Sequence, residues 1–185
     1  MTPSLARTIL VGGGARSGKS RFALGYARRL GARRVFVATA QGLDEEMRAR
    51  IAQHREERGA DFRTVEVPVE LPAALLALEA DVVVVDCLTL WLSNLLVAGH
   101  PQGAIDERIE ALVAVLARRR FHALVVTNEV GMGVVPESPL GRAFRDLTGR
   151  AHQRLAAAAD EIYLAALGLV LRVHPGPVER APEVR

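Results

Sequence analysis

The sequence predicts an α/β fold built on a mostly parallel sheet, and three observations predict it. Short apolar runs alternate with stretches of helical period, the order that produces strands joined by crossover helices. Half of the 185 residues are hydrophobic while only 4% are aromatic, so the core is Val, Leu, Ala and Ile, as suits parallel strands covered on both faces. A glycine-rich turn, Gly13-Gly14-Ala15-Arg16-Ser17-Gly18-Lys19-Ser20, stands between the first apolar run and the first helical stretch.

The elements follow in order. Ile9-Leu10-Val11 opens a strand at 8–11, and the helix after the glycine-rich turn covers 19–30. Further strands are expected at 35–39, 63–67 and 82–86, the last a run of four valines ending in Asp86. Helices are expected at 44–57, 70–78, 90–98, 105–119 and 141–159, with Asp44 and Asp106 as caps or first-turn acids. In the helix expected at 44–57, Met47 and Ile51 mark a buried stripe. A strand at 123–127 precedes the last helix, and strands at 161–166 and 169–173 close the chain. Only Leu167-Gly168 separates those two, so they form a terminal antiparallel hairpin. Residues 1–173 read as a single domain, and 174–185, with three prolines and little apolar content, as a disordered tail.

Composition excludes several classes. Net charge is only +3, and the arginine pairs and triplet at 28–29, 33–34 and 118–120 fall near expected helix ends rather than in one basic patch. With few aromatics for base stacking, no nucleic-acid partner is expected. No apolar run approaches a membrane span, no signal-peptide layout is present, and the single cysteine, Cys87, fits a reducing compartment. A cytoplasmic protein without a membrane span is therefore expected.

The turn from Gly13 to Ser20 satisfies G-x-x-x-x-G-K-[ST]. In such a loop the glycines let successive backbone N–H groups converge on phosphate oxygens, and the following helix adds its positive end. Lys19 then reaches the β- and γ-phosphates, and Ser20 places its hydroxyl on Mg²⁺. Asp86, at the end of an apolar strand, is the expected second magnesium contact; a helix-capping role is the alternative. This chemistry points to a nucleoside triphosphate but does not choose among kinase, ATPase, GTPase and nucleotidyltransferase.

Further segments narrow the choice. The run Thr127-Asn128-Glu129-Val130-Gly131-Met132-Gly133-Val134-Val135-Pro136-Glu137 is followed by Leu140-Gly141-Arg142-Ala143-Phe144-Arg145-Asp146, Gly149-Arg150 and Gln153-Arg154-Leu155-Ala156. Together with the GGARSGKS form of the loop, Asp86-Cys87-Leu88-Thr89-Leu90-Trp91 and the region around His54, these resemble the bifunctional adenosylcobinamide kinase/adenosylcobinamide-phosphate guanylyltransferase family. The likeness spans about 9–173.

The resemblance implies a P-loop NTPase (RecA-like) three-layer sandwich that takes part in cobalamin biosynthesis. Its two reactions would be phosphorylation of adenosylcobinamide by ATP or GTP, then transfer of GMP from GTP to adenosylcobinamide phosphate with release of pyrophosphate. Family members pass GMP through a histidine and are homotrimers with sites near subunit boundaries. The matching histidine here is His54, in Ile51-Ala52-Gln53-His54-Arg55, which makes His54 and Lys19 the expected catalytic pair. Nucleotide contacts carried over are Ala38, Thr39, Ala40, Arg55, Glu56, Glu57, Arg58 and Glu66, beside Asp86 and the Gly13–Ser20 loop. A carboxylate at Glu66 can accept from guanine N1 and N2, donors that adenine does not present together.

The residues by themselves are compatible with a neutral imidazole at His54 as a nucleophile, with arginines nearby to offset phosphate charge; a surface or core histidine is the alternative. Asn128 and Glu129 follow a strand end, and the glycine-rich segment to Glu137 reads as a substrate-proximal loop. Three features depart from the family pattern: Gly59-Ala60-Asp61 where a proline is common, His152 where Asn is common, and a shortened connection before Gly103. A kinase without the transferase activity and a non-catalytic nucleotide switch are the alternatives to the dual enzyme.

Overall fold

A computed structural model describes residues 6–181. Among these residues six strands run parallel: β1 (Thr8–Gly13), β2 (Arg34–Ala38), β3 (Arg63–Glu66), β4 (Val82–Asp86), β5 (His122–Asn128) and β6 (Glu161–Ala166). Two antiparallel strands, β7 (Leu169–His174) and β8 (Glu179–Arg180), complete one eight-stranded sheet in the order β3-β2-β4-β5-β1-β6-β7-β8. The helices are α1 (Lys19–Arg28), α2 (Glu45–Arg58), α3 (Leu71–Ala77), α4 (Leu88–Val97), α5 (Gln102–Ala117) and α6 (Pro139–Ala158).

The two-residue period of the strands sorts their side chains into two cores. Leu10, Val35, Val37, Val83, Val85, Ala123 and Val125 pack with α3, α4, α5 and α6 on one face. Ile9, Val11, Phe36, Val82, Val84, Leu124 and Val126 pack with Phe22, Ala23, Leu24 and Ala27 of α1 on the other. This is a three-layer sandwich. All four valines of β4 have no exposed surface; burying one such side chain stabilises the fold by about 1.5–3 kcal/mol relative to leaving it in water.

Three expectations need correction. The segment from His174 is not a disordered tail, because β7 runs to His174 and β8 pairs with it. Ala181 is buried and its N–H donates to Val170 O at 2.7 Å. A two-residue strand carries too little period to show in sequence, and the expectation for 182–185 lies outside the described residues. Asp106 is not a cap either, since α5 starts at Gln102 after Pro101. Its carboxylate instead receives Arg154 of α6 at 2.9 Å and ties the two helices.

The third concerns α2, which has no buried stripe. Met47 and Ile51 are only half-buried, and Arg58 is the one buried residue of the helix. The helix is stabilised locally instead: Asp44 Oδ1 accepts from Met47 N at 2.7 Å, Glu45 and Glu46 stand in the first turn, and Arg55 and Arg58 in the last. Its anchor is the Arg58 guanidinium, 4.0 Å over the Phe36 ring, while Arg58 O accepts from Arg28. A short 3-10 turn, Gly59–Asp61, then leads into β3.

Candidate active site

The carboxyl ends of β1 to β5 converge on one cleft of about 1100 Å³, where ligands gather in parallel sheets. The loop after β1 forms its floor. Ser17 N donates to Gly14 O, and Gly18 adopts φ 90°, a left-handed conformation that a side chain would strain. Alternating backbone handedness of this kind aims N–H groups into a concavity. Gly13 is demanded by packing, because a Cβ there would lie 2.5 Å from Ala165 O. The buried Ser17 hydroxyl has no protein partner among the described residues.

Lys19 opens α1 and folds back so that Nζ donates to Gly14 O at 3.0 Å. It is 7% exposed, and burial lowers its pKa below the ordinary lysine value, against the pull of Asp86 and Cys87. Asp86, at the end of β4, accepts a hydrogen bond from Ser20. Burial raises the Asp86 pKa, opposed by that hydrogen bond and by the nearness of His54, Lys19 and Arg58. The loop spacing and the strand-end carboxylate predict that these groups meet, and they do.

A raised carboxyl pKa means that the folded state binds its proton more tightly than the unfolded state. This group's contribution to stability is therefore greatest at low pH and declines as pH rises from the unfolded carboxyl range through the raised folded value. At neutral pH, above the unfolded carboxyl range, this group is therefore a cost to the ligand-free fold. Asp86→Asn should raise the melting temperature by about 3 °C in differential scanning fluorimetry. The same variant should lose activity on the order of a hundredfold in a steady-state assay. A variant that is less stable and fully active would contradict both halves.

Ala15, Arg16, Ser17, Gly18, Lys19, Ser20, Ala38, Ala40, His54, Arg55, Glu56, Glu57, Arg58, Glu66 and Asp86 all line the cleft. Gly13 and Gly14 are not among its lining residues: Gly13 is buried, and Gly14 is exposed with its carbonyl accepting from Ser17 N and Lys19 Nζ. Thr39 is the exception: it is fully buried, and its hydroxyl donates to Cys87 O and accepts from Cys87 N, both at 2.8 Å. It braces the chain after Asp86 rather than facing a nucleotide. Across the cleft, Glu66 is 68% exposed in its side chain and has Arg55 at 3.8 Å, a weak pair in water.

His54 stands on α2 facing this floor, with Nδ1 3.3 Å from Glu57 Oε2. Burial lowers the Arg58 pKa, and neighbouring Arg55 adds to that effect; two guanidiniums thus share one end of the helix. Arg50, one helical turn before His54, also reaches the cleft and acts on Lys19. Sequence reasoning missed it, although a spacing of four from His54 was the signal. Cys87 and Asn128 line the cleft as well. Burial pushes the Cys87 thiol up to about 11, and Asn128 Nδ2 donates to Thr89 Oγ1 at 3.1 Å.

Beside β5, Glu129 N donates to Gly13 O at 3.0 Å, so the segment 129–137 begins against the phosphate loop. Glu129 Oε1 accepts from Gly131 N, and Oε2 lies 3.7 Å from His152 Nδ1. His152 Nε2 and Thr127 Oγ1 are 2.7 Å apart. Burial lowers the His152 pKa, opposed by Glu129. Beyond this bracing, Met132, Val134 and Val135 are exposed.

Comparison with known proteins agrees with this geometry. Residues 9–173 match the family described as CobU, cobinamide kinase / cobinamide phosphate guanyltransferase. The bifunctional adenosylcobalamin biosynthesis protein CobU of Salmonella typhimurium is 42% identical over 182 residues, covering 89% of this chain and 98% of that protein. The corresponding protein CobP of Pseudomonas aeruginosa is 43% identical over 172 residues, covering 91% and 98%. Among solved structures, the RadB recombinase superposes with a TM-score of 0.55 at 19% identity, over 97% of this chain and 83% of that one. A second solved structure, an ATPase domain, gives 0.53 at 11% identity, over 95% and 80%. These two show a RecA-like P-loop fold.

Proposed function

Because this chain belongs to the cobinamide kinase / cobinamide phosphate guanyltransferase family, we propose that its one cleft serves both reactions, with His54 carrying GMP between them. The chain is a bifunctional enzyme of adenosylcobalamin biosynthesis with kinase and guanylyltransferase activities. The observation that carries the reading is the shared cleft, in which the phosphate loop, Asp86 and His54 face one volume.

In the kinase step the substrate hydroxyl oxygen attacks the γ-phosphorus of ATP or GTP, the nucleoside diphosphate leaves with the electron pair of the broken P–O bond, and the hydroxyl proton passes to water. Lys19 and the loop N–H groups would hold the transferring phosphoryl group and its developing charge. Ser20 and Asp86 present adjacent hydroxyl and carboxylate oxygens, a hard donor pair that fits Mg²⁺, which would supply charge neutralisation at the phosphates. Among the described residues no cluster of three or more His, Cys, Asp or Glu is assembled for a metal, so such an ion would draw its other ligands from phosphate oxygens and water.

In the transferase step the imidazole of His54 attacks the α-phosphorus of GTP and pyrophosphate leaves. The phosphate of adenosylcobinamide phosphate then attacks the same phosphorus and frees the ring. Arg50, Arg55 and Arg58 supply positive charge along this wall, and Glu66, 3.8 Å from Arg55, would read guanine beside it. No helix among the described residues is long and apolar enough to cross a membrane. The reading also takes the enzyme as a cytoplasmic homotrimer, with the exposed faces of α2 available to a neighbouring subunit.

Incubation with α-labelled GTP should leave an acid-labile, base-stable adduct on the full chain, and added adenosylcobinamide phosphate should discharge it as adenosylcobinamide-GDP. An enzyme that makes this product at full rate without ever holding label would overturn the relay.

A further inference from the structure

We propose that Glu57, held in place by Gln53, is a positioning residue that fixes the proton of His54 on Nδ1 and thereby makes Nε2 the nitrogen that takes GMP. This inference rests on the reading of His54 as the nucleophile. It starts from a chain of contacts along α2. Gln53 Nε2 donates to Glu57 Oε1 at 3.2 Å, and His54 Nδ1 faces Glu57 Oε2 at 3.3 Å. Spacings of four and three bring all three onto one side of the helix, and all three line the cleft.

Stability does not explain this arrangement. His54 and Glu57 keep 46% and 40% of their side-chain surface exposed, and exposed pairs of this kind contribute little to stability. Phosphate binding does not explain it either, because a carboxylate repels phosphate oxygens. Chemistry does. A neutral imidazole has one N–H and one lone pair, and the partner of the first decides the place of the second. A carboxylate accepts only, so when the ring turns to pair with Glu57, 3.3 Å away, the nitrogen that approaches it is the one that carries the proton. Among the described residues nothing hydrogen-bonds Nε2, which leaves its lone pair directed away from Glu57.

The step balances without any proton leaving the site. The Nε2 lone pair forms the N–P bond, the bond from the α-phosphorus to the bridging oxygen breaks, and pyrophosphate leaves with that electron pair. The ring keeps its Nδ1 proton and becomes cationic, and Glu57 faces the new charge. When the acceptor phosphate attacks, the N–P pair returns to Nε2 and the neutral ring is restored. Glu57 thus interacts more strongly with the charged intermediate than with the resting ring, the condition for an effect on rate rather than on binding alone.

The test uses the full chain with ¹⁵N-labelled histidine, α-labelled GTP and magnesium, under single-turnover conditions. The linkage is assigned by ¹⁵N and ³¹P NMR of the trapped adduct. The wild-type adduct should sit on Nε2. Glu57→Ala should form adduct about tenfold more slowly and split it between the two nitrogens. Glu57→Gln retains an acceptor for the Nδ1 proton but not the charge, so it should keep the Nε2 linkage at a reduced rate. A wild-type linkage on Nδ1, or a Glu57→Ala adduct unchanged in rate and linkage, overturns the proposal while leaving His54 as the nucleophile. Equal labelling of a His54→Ala chain overturns the nucleophile reading itself, and this proposal with it.

Discussion

Lys19→Met should abolish phosphorylation of adenosylcobinamide, lowering kcat/KM on the order of a thousandfold, roughly 4 kcal/mol of transition-state stabilisation. The ammonium is built into the floor of the phosphate loop, and its hydrogen bond to Gly14 O aims it along that loop. Burial already disfavours its charge. A methionine of similar length removes that penalty, so the melting temperature should hold or rise while activity falls. The opposite signs matter, because a variant inactive through misfolding would lose both. If one cleft serves both reactions, formation of the GMP adduct should fall with the kinase rate. Intact adduct formation in a kinase-dead Lys19→Met chain would assign the two triphosphates to separate sites.

His54→Ala should divide the activities in the other direction. Without the imidazole there is no covalent carrier, and guanylyl transfer should fall to background, a loss on the order of 10⁴-fold or more for a nucleophile. The ring is half-exposed and makes no core contact, so the fold and the phosphate loop are untouched. Mass analysis of a reaction with adenosylcobinamide, GTP and magnesium should then show adenosylcobinamide phosphate accumulating and no adenosylcobinamide-GDP. Product appearing at an undiminished rate would mean direct attack on GTP, with no relay at all.

Much of the fold was legible because its signals are local and repeated. The Val82–Val85 run can only be a strand covered on both faces, and all four of its side chains are fully buried. Leu167-Gly168 turns the chain as expected, with φ 53° and 79°. The loop motif was recognisable from its spacing, and its residues from Ala15 to Ser20 line the cleft. What failed was tertiary in origin. Met47 and Ile51 have a core-like period, yet α2 packs through Arg58, a charged residue that pattern reading assigns to solvent. Thr39 sits at a strand end where ligands are met, yet its hydroxyl closes on Cys87, 48 positions later in the chain. The pairing of β8 with β7 depends on two residues that have no period to read.

The fastening of α2 near its C-terminal end has a consequence for how this enzyme can vary. An element clamped at one end by a guanidinium on a phenyl ring behaves as an outrigger: its free energy of opening is its own and is not that of the sheet. Residues along it can therefore drift in sequence without loosening either core, and His54, the nucleophile proposed here, can be re-aimed by edits that leave the loop after β1 alone. On the proposed relay, selection on guanylyl transfer would act through a surface helix, and selection on the kinase step through the interior.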